Sequence, residues 1–382
     1  MKNAIVITVL TFTIAAVLLC SAPVQAKSIA PVPEKPSRRV DLVICLDTSG
    51  SMSGLIQSAK QKLWAVVNEL ATARPRPVLR VALYHYGNDG LKAENGWVKQ
   101  LCPLTDDLDK VYENLFKLTT NGGTELVARV MRAATEELKW DKSKNTLRMM
   151  FIAGNEAATQ DKVHKLRDTC KAAATAGIIV NTIHCGPEAT GRRGGWADAA
   201  AWADGQYAAI DHDRGTVVIN TPHDKKLAEL SSKINSTYIG YGRAGKAGLA
   251  NQLTQDSNAS GLNAPAAAQR ASAKAGGLYN AAGWDLVDAS KKKDFDITKI
   301  KKEDLPESMR KMTDDEKKAH IAKQSASRVA IQKEIMELTK KRDAYVKAEM
   351  ARKGLDEKTS FDAALRKMVR VQAEKQNFKF EK

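Results

Sequence analysis

Val40-Asp41-Leu42-Val43-Ile44-Cys45-Leu46-Asp47-Thr48-Ser49-Gly50-Ser51-Met52-Ser53-Gly54 decides how the rest of the chain is read. An almost continuous apolar run, Val40 to Leu46, stops abruptly at small residues bearing carboxylates and hydroxyls. The run predicts a strand buried on both faces, because a half-exposed strand would alternate. The polar run that follows predicts a tight loop. From Gly54 to Leu70 apolar residues return at helical spacing, with Ile56, Leu63, Val66, Val67 and Leu70 on one broad side. Asp47, Ser49 and Ser51 stand at alternate positions of the loop and can direct three oxygens into one volume. Oxygen donors of this kind suit a hard divalent cation, Mg2+ in the first place, or Mn2+ or Ca2+.

Outward from this unit the same alternation continues. Strands are expected over Leu79–Tyr86, Leu147–Ala153 and Ile178–His184. Helices are expected over Asp106–Leu118, Thr124–Leu138, Thr159–Ala176 and Trp196–Ala203, the last ended by Gly205. Gln206–Asp211 and Thr216–Asn220 read as strands around a turn at Asp213-Arg214-Gly215, and Asp224–Ile234 as the closing helix. The fold class is therefore α/β: a Rossmann-like, mostly parallel sheet flanked by helices on both faces. Ligands of such sheets sit at the carboxyl ends of the strands, which directs attention to the residues after Leu46, Tyr86 and Ala153.

The Asp47-Thr48-Ser49-Gly50-Ser51 loop resembles the metal-ion-dependent adhesion site of the von Willebrand factor A family, whose pattern is Asp-x-Ser-x-Ser. Asn121-Gly122-Gly123-Thr124-Glu125 is similar to the family's next element, a Gly-Gly-Thr-type loop between helices. The resemblance covers residues 39–240. It implies a cation held by Asp47, Ser49, Ser51 and Thr124, and a binding or adhesion role instead of catalysis. The sequence departs from the family at the third element, where a Thr-Asp-Gly setting supplies an aspartate. Here Phe151-Ile152-Ala153-Gly154-Asn155-Glu156 places Gly154 at that position. Asn155 or Glu156 is expected to substitute, directly or through water, and Asp198 to approach from the short helix. With one carboxylate fewer, the free site is expected to bind its cation weakly and to depend on the ligand's own carboxylate. The Phe151–Glu156 loop, the Trp196–Gly205 stretch and the basic carboxyl-terminal region together resemble a bacterial subgroup of secreted proteins that carry this domain.

The ends of the chain set the compartment. Lys2, an apolar run from Ala4 to Leu19, and small residues up to Ala26 form a secretory signal peptide over residues 1–26. Cys20 follows Leu19, where lipidation would require a small residue. The protein is thus expected in the periplasm or outside the cell. A proline-interrupted linker occupies 27–38. After the domain at 39–240 comes an Ala/Gly/Asn-rich connecting segment at 241–302, helical in part but with little bulky material for a core, read as a wrap-around or semi-flexible piece. A charged helical tail follows at 303–382. Ile331, Ile335 and Leu338 begin a coiled-coil-like seam in it, which breaks on reaching Arg342, Tyr345 and Glu349; Glu337 and Lys341 support the helix four apart. Self-association through this tail is a further expectation.

The formal net charge is +16. Export removes nucleic acid as a partner and leaves a protein, an acidic envelope polymer or an anionic membrane surface. Of the cysteines, Cys45, Cys102, Cys170 and Cys185 survive cleavage; Cys45 and Cys185 lie in apolar strands and read as buried hydrophobes. His85 is expected to orient a loop. His184 and Cys185 point to opposite faces of a strand and cannot act as a pair. Trp97 and Trp196 read as core anchors, and Asp211, His212 and Asp213 as a solvent-facing turn. A metal-dependent hydrolase would need further carboxylates or a histidine near a bound water, and no such set stands out. A structural envelope protein that oligomerises through the tail is the other alternative.

Overall fold

The computed structural model describes residues 38–210, 218–355 and 361–380. The signal peptide, the linker up to residue 37 and the turn at Asp211-His212-Asp213 lie outside the described residues.

The elements run in the order β1 (Arg39–Asp47), α1 (Ser53–Ala71), β2 (Ala73–Arg74), β3 (Val78–Tyr86), β4 (Val98–Thr105), α2 (Leu108–Phe116), α3 (Val127–Glu137), β5 (Thr146–Gly154), α4 (Leu166–Thr175), β6 (Ile179–Cys185), α5 (Glu188–Arg193), α6 (Trp196–Trp202) and β7 (Tyr207–Ile210). The extension adds α7 (Asp224–Asn235), α8 (Gly242–Leu262), α9 (Ala264–Ala275), α10 (Leu286–Ala289), α11 (Asp314–Lys353), α12 (Phe361–Lys375) and β8 (Lys379–Phe380). The main sheet has the order β4-β3-β1-β5-β6-β7. All its pairings are parallel except β3 with the edge strand β4. This is an α/β domain, a mostly parallel sheet flanked by helices, followed by a long helical extension, as the sequence predicts.

β1 is central, and its side chains alternate between two cores. Val40, Leu42, Ile44 and Leu46 join α1, α2 and α12 on one face. Val43 and Cys45 join α3, α4 and α6 on the other. Both faces are covered, which is why β1 reads as an apolar run without alternation. The four cysteines are buried and free, and Cys185 and the His184–Trp196 ring contact belong to opposite faces.

Several expectations are corrected. The helices expected from Thr124 and Thr159 begin later, at Val127 and Leu166; Thr124 instead bridges Gly87. Residues 218–220 form no strand. The edge strand β4 was not anticipated, because Pro103 interrupts it; an edge position tolerates a missing donor. The Ala/Gly/Asn-rich segment is more regular than a semi-flexible piece. It folds into α8 and α9, and Ala266, Ala268, Ala271 and Ala273 are buried at the interface. The charged tail does not stand apart. Along α11, Ile321, Arg328, Ile331, Ile335 and Arg342 turn inward; Ile331 and Ile335 pack with residues of α7 and α9, so this stripe is covered within the chain. The last helix, α12, lays Leu365, Met368 and Val369 into the core shared with α1.

Candidate functional site

β1 ends at Asp47, which lies opposite Tyr86 at the end of β3, while Leu46 lies opposite Ala153 near the end of β5. The carboxyl ends of the three central strands therefore meet, at the point where the sheet order departs to either side of β1.

Backbone hydrogen bonds lace the loops above these ends. Thr48 N–H donates to Tyr86 O at 2.8 Å, Gly50 N–H to Gly122 O at 2.8 Å, and Asn121 N–H to Thr48 O at 3.0 Å. The Asn88 amide adds bonds to Thr48 O at 3.1 Å and Thr119 O at 3.0 Å. Gly122 has φ +71°, and a Cβ there would lie 1.9 Å from Asp89 Cγ, so this turn requires glycine. His85 meets Thr48 through Nδ1 and Oγ1 at 3.0 Å, the orienting role expected of it. Burial pushes its imidazole down to about 4, so it is neutral at ordinary pH.

Within this frame the side chains converge. Ser49 N–H donates to Asp47 Oδ1 at 2.8 Å, and the Ser49 and Ser51 hydroxyls are 3.3 Å apart. Asn155 Nδ2 donates to Ser51 Oγ at 3.1 Å. Thr124 reaches the same end of the sheet through its bridge to Gly87. Asp47, Ser49, Ser51 and Asn155 thus form one connected set. Glu156 is exposed, and its carbonyl accepts from the buried Trp196 indole at 2.7 Å. Asp198 is exposed on α6, with no hydrogen bond or ion pair to the Asp47 loop among the described residues.

Gly154 has a steric reason. A Cβ at this position would stand 2.5 Å from Tyr86 Oη and 2.9 Å from Asp47 Oδ2. Tyr86 is fully buried and donates to Ala153 O at 3.1 Å. Its hydroxyl fills the space beneath the site, so a carboxylate cannot arise from position 154.

The sequence reading missed one acidic residue. Glu125, directly after Thr124, is only 6% exposed. Its Cγ and Asp47 Oδ1 both lie within 2.9 Å of where a Gly87 Cβ would be. Its place next to Thr124 was the available signal; the turn that brings both to the site was not visible in the spacing. Burial pushes the Asp47 carboxyl up to about 7, against the bond from Ser49 and with a smaller push from Glu125. Burial likewise raises Glu125.

Two acceptors here lack hydrogen-bond donors: buried Asp47 Oδ2 and buried Asn155 Oδ1. Buried oxygens without partners are costly, and a cation would satisfy both. Among the described residues no group of three or more His, Cys, Asp or Glu side chains is placed to hold a metal. The donor set is instead mixed, with carboxylate, hydroxyl and amide oxygens, which suits a hard cation and not a soft one.

Residues 41–194 match the model of the von Willebrand factor type A domain. No curated protein matches the chain in sequence. Among solved structures it is similar to the conserved hypothetical protein BatB from Bacteroides thetaiotaomicron, at 17% identity over 45% of this chain and 90% of that one, with a TM-score of 0.35. The SpRpn10 VWA domain is 16% identical over 48% of this chain and 100% of that one, with a TM-score of 0.36. A von Willebrand factor type A protein from Catenulispora acidiphila is 15% identical over 46% and 39% of the two chains, with a TM-score of 0.34. Likeness at this level says nothing about a ligand.

Proposed function

We propose that this chain, with its von Willebrand factor type A domain at residues 41–194, is a divalent-cation-dependent binding protein. Asp47, Ser49, Ser51 and Thr124 hold Mg2+ or Mn2+, and Asn155 takes the side of the site that an aspartate fills in the family. The observation that carries this is the pair of buried acceptors, Asp47 Oδ2 and Asn155 Oδ1, left without donors at one end of a rigidly laced loop frame. Neutral hydroxyl ligands leave a cation electrophilic, so an open coordination position can accept a carboxylate from a protein partner.

The role is binding and not turnover. It is set in the periplasm or outside the cell, in line with the expected signal peptide and the secreted bacterial subgroup. The net charge of +16 adds long-range attraction to an acidic protein or envelope polymer. Calorimetric titration of chelator-treated protein with Mg2+ and Mn2+, beside D47A, tests the cation site. Saturable binding that disappears in D47A supports it; wild-type protein that binds neither ion contradicts it.

A further inference from the structure

We propose that Glu125 is the second carboxylate of this cation site and restores the charge that Gly154 removes. The inference rests on the cation reading above and concerns how the site is completed. Three observations meet in it. Position 154 has no room for any side chain, because Tyr86 Oη and Asp47 Oδ2 occupy the space a Cβ would need. Glu125 is buried, although it lies in a loop and no arginine or lysine is hydrogen-bonded or ion-paired to it among the described residues. Its Cγ and Asp47 Oδ1 both crowd the space over Gly87, within 2.9 Å of where a Cβ there would stand, so the two acidic side chains are neighbours.

A second buried carboxylate beside Asp47 has no compensation in the protein, and two like charges in one desolvated volume repel. A divalent cation between them cancels both. Asp47 Oδ2, fully buried and without a donor, is the independent sign that something positive belongs there. Ser49 N–H already bonds Asp47 Oδ1 at 2.8 Å, which leaves Oδ2 for the ion.

The consequence reverses the expectation drawn from the sequence. A cation held by two protein carboxylates is neutralised before any partner arrives, so the ion is retained in the free protein. The partner's carboxylate then adds a contact without completing the charge balance.

The test is Mn2+ titration of the full chain in four forms: wild type, D47A, E125Q and D89N. Asp89 is exposed beside the same loop, so D89N makes the same change in net charge at a residue outside the ligand set. E125Q is expected to weaken Mn2+ by about tenfold or more and D89N by less than about twofold, since ligand charge count sets affinity at oxygen sites. E125D keeps the charge but withdraws it by one methylene; it should fall between, and it replaces E125Q if that variant does not fold. If wild type binds, D47A does not, and E125Q matches wild type, Glu125 is not a ligand although the site exists. Equal losses in E125Q and D89N would reduce Glu125 to a general field and overturn ligation. Absence of binding in wild type sinks the cation reading itself.

Discussion

Tyr86 and Gly154 show how one side chain fixes the chemistry of its neighbour. The Tyr86 hydroxyl stands where a Cβ on residue 154 would have to go. G154A should therefore lose about 1–3 kcal/mol in chemical denaturation, the usual cost of overpacking. Y86F should recover part of that loss in the double variant, by removing the obstructing oxygen. Asp47 gives a pH signature. In the cation-free protein its carboxyl keeps its proton up to about 7, whereas the unfolded chain releases it near 3.8. Across that window the folded state binds more protons, so stability falls as pH rises. Chelated wild type should be more stable to urea at pH 5 than at pH 8 by roughly 1–3 kcal/mol from this group, and D47N should lack the difference. Asp47, Ser49 and Ser51 were legible in the sequence because a single loop holds them after a buried strand. Glu125 and the steric role of Tyr86 were not, because both depend on strands and loops distant in sequence.

At the scale of elements, the extension is held by buried charge as much as by apolar contact. Arg270 on α9 donates to Asp109 on α2 at 2.7 Å and to Asp256 on α8 at 2.5 Å, and lies over the Trp64 ring of α1. Tyr279 adds a hydrogen bond to the same Asp109. Lys274, also buried, meets Asp256 at 2.8 Å. Removing Arg270 leaves two carboxylates without their main cation, so R270A should cost about 3–5 kcal/mol. It should also open α8 and α9 to limited proteolysis before the sheet. On α11, Arg328 reaches Asp285 at 2.7 Å and Arg342 reaches Asp224 at 2.8 Å. The apparent break of the seam at Arg342 is thus an inward ion pair. Apolar periodicity found the strands and α1, whose inner faces are aliphatic. It showed α8 and α9 only in part, because their inner faces are alanine, glycine and paired charge; Gly248, for example, lies against Trp284, where a Cβ would come within 2.5 Å.

For the whole molecule, the final helix closes the structure. Gln372 on α12 and Asn181 on β6 exchange two buried amide hydrogen bonds, at 3.0 and 2.6 Å. Arg370 pairs with Glu69 of α1, and β8 pairs with β2 just after α1. A chain cut after residue 355 would uncover the α1 face that receives Leu365, Met368 and Val369. At about 1.5–3 kcal/mol for each large buried aliphatic side chain, that loss should leave the truncated chain aggregated or unfolded at 37 °C. A soluble truncation with an unchanged melting temperature would show that α12 adds nothing to the domain. The alternation of strands and helices was enough to predict the central parallel strands and their helices up to α7, though not the edge strand β4. The return of α12 to α1 was not predictable, since its short apolar face carries no mark of its partner.

The central claim is that the loop after β1 holds a divalent cation. The most direct measurement is anomalous diffraction from a crystal of the full chain soaked in Mn2+. The account predicts one strong peak against Asp47, at about 2.0–2.3 Å from its ligand oxygens, with Glu125 in the same coordination shell and no peak in D47A. A featureless map at Asp47, or manganese bound only on the exposed surface, would contradict it.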